Sequence, residues 1–255
     1  MAFYDFFSKQ TTTRLGERWM RQAAESILTE VSAAVSPLEK VLELGPGWGA
    51  LAQVCHKRGL SYTAVDANLK LLRRIQPVKG ICALFPPFPL RDAVCDVVVA
   101  SHVIEHCNGL AQAQALLSEM FRIVRTGGCI VIVSPDLLWV GKYFWDCDYS
   151  HNFPTSLRRL YYMFVDQGLK IVKLQYVHNH LTGWKGYLLG WFVSILPYRV
   201  PVGREPTGKW IDRVYKLRLA FARSVQIIGR RPTKPLDYLE KKDERGMAKD
   251  KLHYM

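Results

Sequence analysis

Residues 41–51 read VLELGPGWGAL, and the way their glycines are counted decides what kind of α/β fold they open. Counted as Gly45-x-Gly47-x-x-Ala50, the stretch matches the dinucleotide fingerprint, with alanine in the third glycine's place. Counted as Glu43-x-Gly45-x-Gly47-x-Gly49, it puts a carboxylate ahead of a three-glycine loop. In both counts an apolar strand, KVLELG, runs into glycines and then into a helix, ALAQVCHKRG, closed by Gly59. Glycines let the backbone adopt positive φ and approach a ligand closely. The helix that follows offers unpaired N–H groups and a positive dipole end to anionic atoms.

Working outward, strand-like and helix-like segments alternate from about residue 38 to residue 178. SYTAVD is a second strand, ANLKLLRRIQ a helix stopped at Pro77, and KGICAL a weaker third strand. CDVVVASHV is β-branched and apolar throughout, as a strand buried on both faces should be. LAQAQALLSEMFRIV is an amphipathic helix ending in the turn RTGG, and CIVIVSPD is a fifth strand. TSLRRLYYMFVDQG starts on a Thr/Ser cap and ends on Gly168; LKIVKLQYVH follows as a sixth strand, and RSVQIIGRR as the last. Such alternation predicts a doubly wound, Rossmann-like α/β fold. The expected sheet is mostly parallel and seven-stranded, with helices on both faces and an insertion before the last strand. The expected organisation is an N-terminal helical lid at 1–37, a cofactor-binding core at 38–178, an aromatic and basic insertion at 179–220, a final core strand at 221–231 and a basic tail at 232–255.

Composition narrows the class. No apolar run in the 255 residues approaches the roughly 20 needed to cross a bilayer, and MAFYDFFSKQ lacks the pattern of a signal peptide. The six cysteines are scattered, without C-x-x-C or zinc spacing, which fits free thiols in a reducing cytoplasm. Net charge is +13, and residues 183–255 hold 16 Lys and Arg against 7 Asp and Glu. A basic third of this kind serves RNA, an anionic membrane or an acidic substrate. The last residues, LEKKDERGMAKDKLHYM, read as a solvated tail.

Glu43 and the fourth strand, CDVVVASHV, separate the glycine counts; Asp66 does not. Asp66, at the end of the second strand, is spaced to accept bonds from ribose hydroxyls, which any adenosine cofactor supplies. Glu43 is different: a buried anion is costly unless paired, and a sulfonium and an ammonium group would pair it where a pyrophosphate would be repelled. Four segments in order, VLELGPGWGALA, YTAVDAN, FPLRDAVCDVVVASHVIEHC and LLSEMFRIVRTGGCIVIVSPD, resemble the class I S-adenosylmethionine-dependent methyltransferases, in the broad branch that includes ubiquinone and menaquinone biosynthesis. The resemblance covers about residues 40–178.

The resemblance implies S-adenosylmethionine as cofactor and S-adenosylhomocysteine as product. It places Glu43, Gly45, Gly47 and Gly49 along the methionine moiety and Asp66 on the ribose, with Ala67, Leu84, Ser101 and His102 completing the pocket. Where the family often has an acid for the adenine, this chain has Leu84, so adenine contacts are expected from backbone and apolar groups around Ala83, Leu84 and Phe85. Methyl transfer is an in-line displacement that chiefly requires alignment. A general base is needed only for an acceptor that must lose a proton. Its candidates are His102, Glu105, His106 and His151, with His102 and His151 the favoured catalytic residues. Glu105 and His106 recur in the family and read as structural. His178 and His180 share a strand face but lack a matched third ligand, so no metal is expected.

The run GYLLGWFVSIL is flanked by Trp184, Lys185, Tyr198 and Arg199, the bracket of aromatics and cations that an interfacial segment requires. The expected partners are a small hydrophobic or lipid-linked acceptor, methylated on oxygen, and an anionic membrane reached through 184–199. That places the chain in the cytoplasm, at the inner face of the membrane. A buried lid helix or a dimer contact is the competing role for the same run. Two other functions stay open: an NAD(P)-dependent oxidoreductase or epimerase using the GxGxxA count, which lacks a Tyr-x-x-x-Lys pair, and an RNA-directed methyltransferase using the basic C-terminus, which lacks a recognised RNA module.

Overall fold

The glycine loop sits where the alternation predicts, between a strand and a helix at one edge of an open sheet. The computed structural model describes residues 13–75, 79–84, 86–196, 214 and 217–233. Its elements are α1 (Arg14–Ala34), β1 (Lys40–Leu44), α2 (Ala50–Lys57), β2 (Ser61–Asp66), α3 (Leu69–Arg74), β3 (Lys79–Cys82), β4 (Cys95–Ser101), a 3-10 turn (Ile104–His106), α4 (Leu110–Ile123) and β5 (Val124–Pro135). Then come α5 (Leu137–Val140), α6 (Tyr143–Asp146), α7 (Leu157–Asp166), β6 (Lys170–His178), β7 (Leu181–Thr182), α8 (Gly183–Ser194) and β8 (Arg223–Arg230).

The strand order is β3-β2-β1-β4-β5-β8-β6-β7. The first five strands are parallel to one another, while β8 runs antiparallel to both β5 and β6. The expected seven strands become eight because Leu181–Thr182 turns back onto the end of β6 as a two-residue strand. A second difference is the RTGG segment: β5 already starts at Val124 and runs through it. Asp96 explains the extension, since it accepts the Glu39 and Lys40 N–H groups at 2.8 and 2.7 Å and pairs with Arg125, binding the starts of β1, β4 and β5 together.

Strand alternation sorts the core into two layers. Leu42, Val98, Ala100, Ile130, Ile132 and Ile227 meet α4 and α7 through Leu116, Met120, Ile123 and Phe164. Val41, Val97, Val99, Val131 and Ile228 meet α1 and α2 through Leu28, Val31, Leu51 and Cys55. Helix α1 starts at Thr13, whose hydroxyl accepts the Gly16 N–H at 3.1 Å. It buries Ala24, Ile27, Leu28 and Val31, a helical stripe. Its Glu30 accepts from Lys173 at 2.6 Å and Gln175 at 3.0 Å, tying the helix to β6.

Sheet order reverses between β1 and β4, so the crevice beyond their carboxyl ends is the topological switch point where open α/β sheets bind ligands. The glycine loop, Asp66, Ser101 and His102 all stand there.

Candidate active site

The loop after β1 is built by close contacts that exclude side chains. Gly45 and Gly49 have φ of +68° and +75°. A Cβ on Gly45 would lie 2.7 Å from Val103 Cγ2, and one on Gly49 would lie 2.4 Å from Ile75 Cγ2. A Cβ on Gly47 would meet nothing within 4 Å. Two glycines therefore press the loop against its own scaffold, while the middle one leaves the crevice side open.

Glu43 is 6% exposed and accepts a hydrogen bond from the Tyr62 hydroxyl. Burial pushes its carboxyl up to about 8, opposed by the Tyr62 bond and reinforced by the Asp66 charge. The same surroundings drive the Tyr62 hydroxyl far up, so it remains a donor. Tyr62 is the partner that sequence reading missed. Its Cα is paired with Val41, and it reaches Glu43 only on the diagonal of the β1–β2 ladder.

At the end of β2, one Asp66 oxygen accepts the Asn68 N–H at 2.7 Å, and among the described residues nothing takes the second oxygen. Burial raises the Asp66 carboxyl, and the Asn68 bond opposes the rise. Leu84 is mostly exposed, beyond β3, and the Ala83 N–H donates to the Asp66 carbonyl at 3.0 Å. Ala67 follows Asp66 directly; Phe85 lies outside the described residues.

Ser101 ends β4, and His102 turns out of it with φ of +57°. The His102 side chain is 54% exposed, and its Nδ1 is 3.2 Å from the fully buried Glu105 carboxylate. Burial works against a His102 cation, but the Glu105 bond and charge prevail and hold the imidazole above its ordinary value. Glu105 is lowered despite its burial, through the bond from His102 and the charges of His102 and His106. His151 is buried nearby, with Nδ1 2.6 Å from the Phe144 carbonyl and its ring centroid 4.9 Å from that of His106. The structure thus gathers His102, Glu105, His106 and His151 beyond the carboxyl end of β4.

The expected His178–His180 strand face does not form. β6 ends at His178, Asn179 turns with φ of +59°, and His180 lies beyond the strand. The buried His178 Nδ1 donates to the Phe221 carbonyl at 2.9 Å.

A glycine cradle open at Gly47, a buried carboxyl that a cation would ionise, and a carboxylate with an oxygen to spare fit a cofactor with an ammonium group and a ribose. The fold and this edge define a Rossmann-like methyltransferase architecture. A family profile described as Methyltransferase domain matches residues 42–132. An uncharacterized protein of Methanocaldococcus jannaschii, MJ0638, is 30% identical over 178 residues, 67% of this chain and 74% of that protein. The malonyl-[acyl-carrier protein] O-methyltransferase of Pseudescherichia vulneris is 29% identical over 118 residues; the match spans 45% of each chain, under half of that enzyme's length. Among solved structures, a SAM-dependent methyltransferase from Archaeoglobus fulgidus superposes with a TM-score of 0.58 at 18% identity, covering 82% of this chain and 93% of that one. The chain belongs to the class I S-adenosylmethionine-dependent methyltransferases, and S-adenosylmethionine is its cofactor.

Proposed function

We propose that this chain methylates an oxygen of a small apolar or lipid-linked acceptor, and that α8 meets an anionic membrane. The observation that carries this reading is α8 itself. Apart from the exposed Lys185 it carries no charge and no polar face, and Trp184, Tyr187, Leu188, Trp191 and Phe192 are each more than half exposed. A helix of this composition on a surface matches an interfacial segment whose aromatic rings sit at headgroup level. No helix of the described residues is long and apolar enough to cross a membrane. Tyr198 and Arg199, expected to complete the flank, lie outside the described residues.

Between α8 and the 139–143 segment lies an apolar cavity of about 110 Å³, lined by Trp139, Tyr143, Val193 and Phe221 among others. It would take part of an alkyl chain delivered along α8. The malonyl-[acyl-carrier protein] relative is an O-methyltransferase by name, which favours oxygen as the methylated atom.

Bound S-adenosylmethionine supplies a methyl carbon already activated by its sulfonium leaving group. Glu43 would hold the ammonium end and Asp66 the ribose, and the loop through Gly45, Gly47 and Gly49 would let backbone close on the methionine moiety. His102, exposed at the end of β4 and oriented by Glu105, takes the proton that a hydroxyl acceptor releases. Incubating the protein with methyl-labelled cofactor and a total membrane extract tests the reading. Label should enter the organic phase as an ether or ester, and binding should favour vesicles rich in phosphatidylglycerol over phosphatidylcholine. Label confined to RNA or to water-soluble products would overturn it.

A further inference from the structure

We propose that Glu105, His106 and His151 hold one divalent transition-metal ion beside the methyl-transfer edge. One donor atom from each of the three lies within 4.8 Å of the other two. They come from two separate segments, and the backbone joins them: the Glu105 carbonyl accepts the N–H groups of Asn152 and Phe153, both at 2.9 Å. Those two hydrogen bonds set the 148–153 loop on the 3-10 turn and bring His151 against His106.

The surrounding bonds prepare both imidazoles as ligands. His151 Nδ1 faces a carbonyl, which only accepts, so Nδ1 carries the hydrogen and Nε2 the lone pair. His106 Nδ1 lies 2.9 Å from Ser150 Oγ, and that hydroxyl gives its own hydrogen to Asp148 Oδ1 at 2.6 Å. Ser150 therefore accepts from His106, and His106 too has its lone pair on Nε2. Metal-binding histidines are characteristically anchored in this way, with the other ring nitrogen donating to an oxygen. The carboxylate is anchored as well, by Ser134 Oγ at 3.0 Å and His102 Nδ1 at 3.2 Å. Ser134 in turn is 2.8 Å from Thr155 Oγ1.

Two imidazoles and one carboxylate suit Zn²⁺, Mn²⁺, Fe²⁺ or Co²⁺ rather than Mg²⁺ or Ca²⁺, which prefer all-oxygen shells. Cys147 adds no thiolate: its sulfur is on the Nδ1 side of His151, 3.9 Å away, and burial pushes it up to about 11. Three protein ligands leave at least one coordination position. Resting on the O-methylation reading, that position takes the acceptor's oxygen, where the ion lowers the cost of losing its proton.

Cobalt is the probe. Tag-free, chelator-treated full-length protein should bind one Co²⁺ with a saturable visible d–d absorption that Zn²⁺ displaces. Glu105→Gln and His106→Ala should abolish the absorption, and Ser150→Ala should weaken binding about 10–100-fold. His180→Ala, outside the cluster, should leave it unchanged. Circular dichroism and calorimetric binding of S-adenosylhomocysteine establish that each variant is folded; His106, only half-buried, is the safer substitution if Glu105→Gln does not fold. Absence of saturable Co²⁺ binding in the wild type, binding unaffected by His106→Ala, or binding abolished by His180→Ala would each overturn the proposal. The cobalt signal is read without acceptor or turnover, so its failure leaves the methylation reading standing.

Discussion

Replacing Glu43 with glutamine removes one titrating group from the core while keeping a side-chain oxygen for the Tyr62 hydroxyl. In the native chain the Glu43 carboxyl titrates at about 8, against an ordinary 4.5. Between those values the folded protein keeps a proton that the unfolded chain gives up, so this group's contribution to stability falls as pH rises. At about 1.36 kcal/mol per pKa unit, the loss between pH 5 and pH 7.5 is about 3 kcal/mol. Glutamine does not titrate, so Glu43→Gln should gain about that much relative to wild type over the same interval. Denaturant unfolding of both proteins across this range measures the difference, in which all other titrating groups cancel. Saturating S-adenosylhomocysteine should flatten the wild-type trend, because the ligand's ammonium group favours the ionised carboxylate. A difference that stays constant from pH 5 to pH 7.5 would show that Glu43 is already ionised in the free protein and refute the reasoning.

Other outcomes follow from single contacts. Asp66→Ala should weaken S-adenosylhomocysteine by about tenfold or more in calorimetry, since a charge-assisted hydrogen bond is worth roughly 1.5–3 kcal/mol, with the fold intact by circular dichroism. Gly190→Ala puts a Cβ 2.2 Å from the buried His178 ring. Overpacking typically costs about 1–3 kcal/mol, and hydrogen exchange in α8 should rise while β1–β5 remain protected. Phe164→Ala empties a fully buried site under β8 and should cost about 3–5 kcal/mol in denaturant unfolding. Changing Trp184 and Trp191 together to serine should reduce binding to anionic vesicles, measured by co-sedimentation, without lowering cofactor affinity.

Much of this architecture is legible from local pattern. CDVVVAS announces a strand buried on both faces, and the glycine loop announces its place between strand and helix, because both signals depend on neighbours in the chain. Asp66 is legible for the same reason, as the residue that ends β2. The Glu43–Tyr62 pair is not, since it depends on the register between two strands and on a diagonal across them. Glu105 and His106 read from the sequence only as structural. Only the bonds from Asn152 and Phe153 to the Glu105 carbonyl reveal that His151 lies beside them. The strand face of His178 and His180 fails because alternation ends at His178, two residues short of His180, where Asn179 turns with positive φ.

The most direct test of the central claim is calorimetry of the full chain with S-adenosylhomocysteine, run beside NADH and repeated on Glu43→Gln and Asp66→Ala. A cofactor held at the β1–β4 switch point predicts one S-adenosylhomocysteine per chain, no heat from NADH, and weakened binding in both variants. Undiminished affinity in both variants would contradict the placement of the cofactor on these residues.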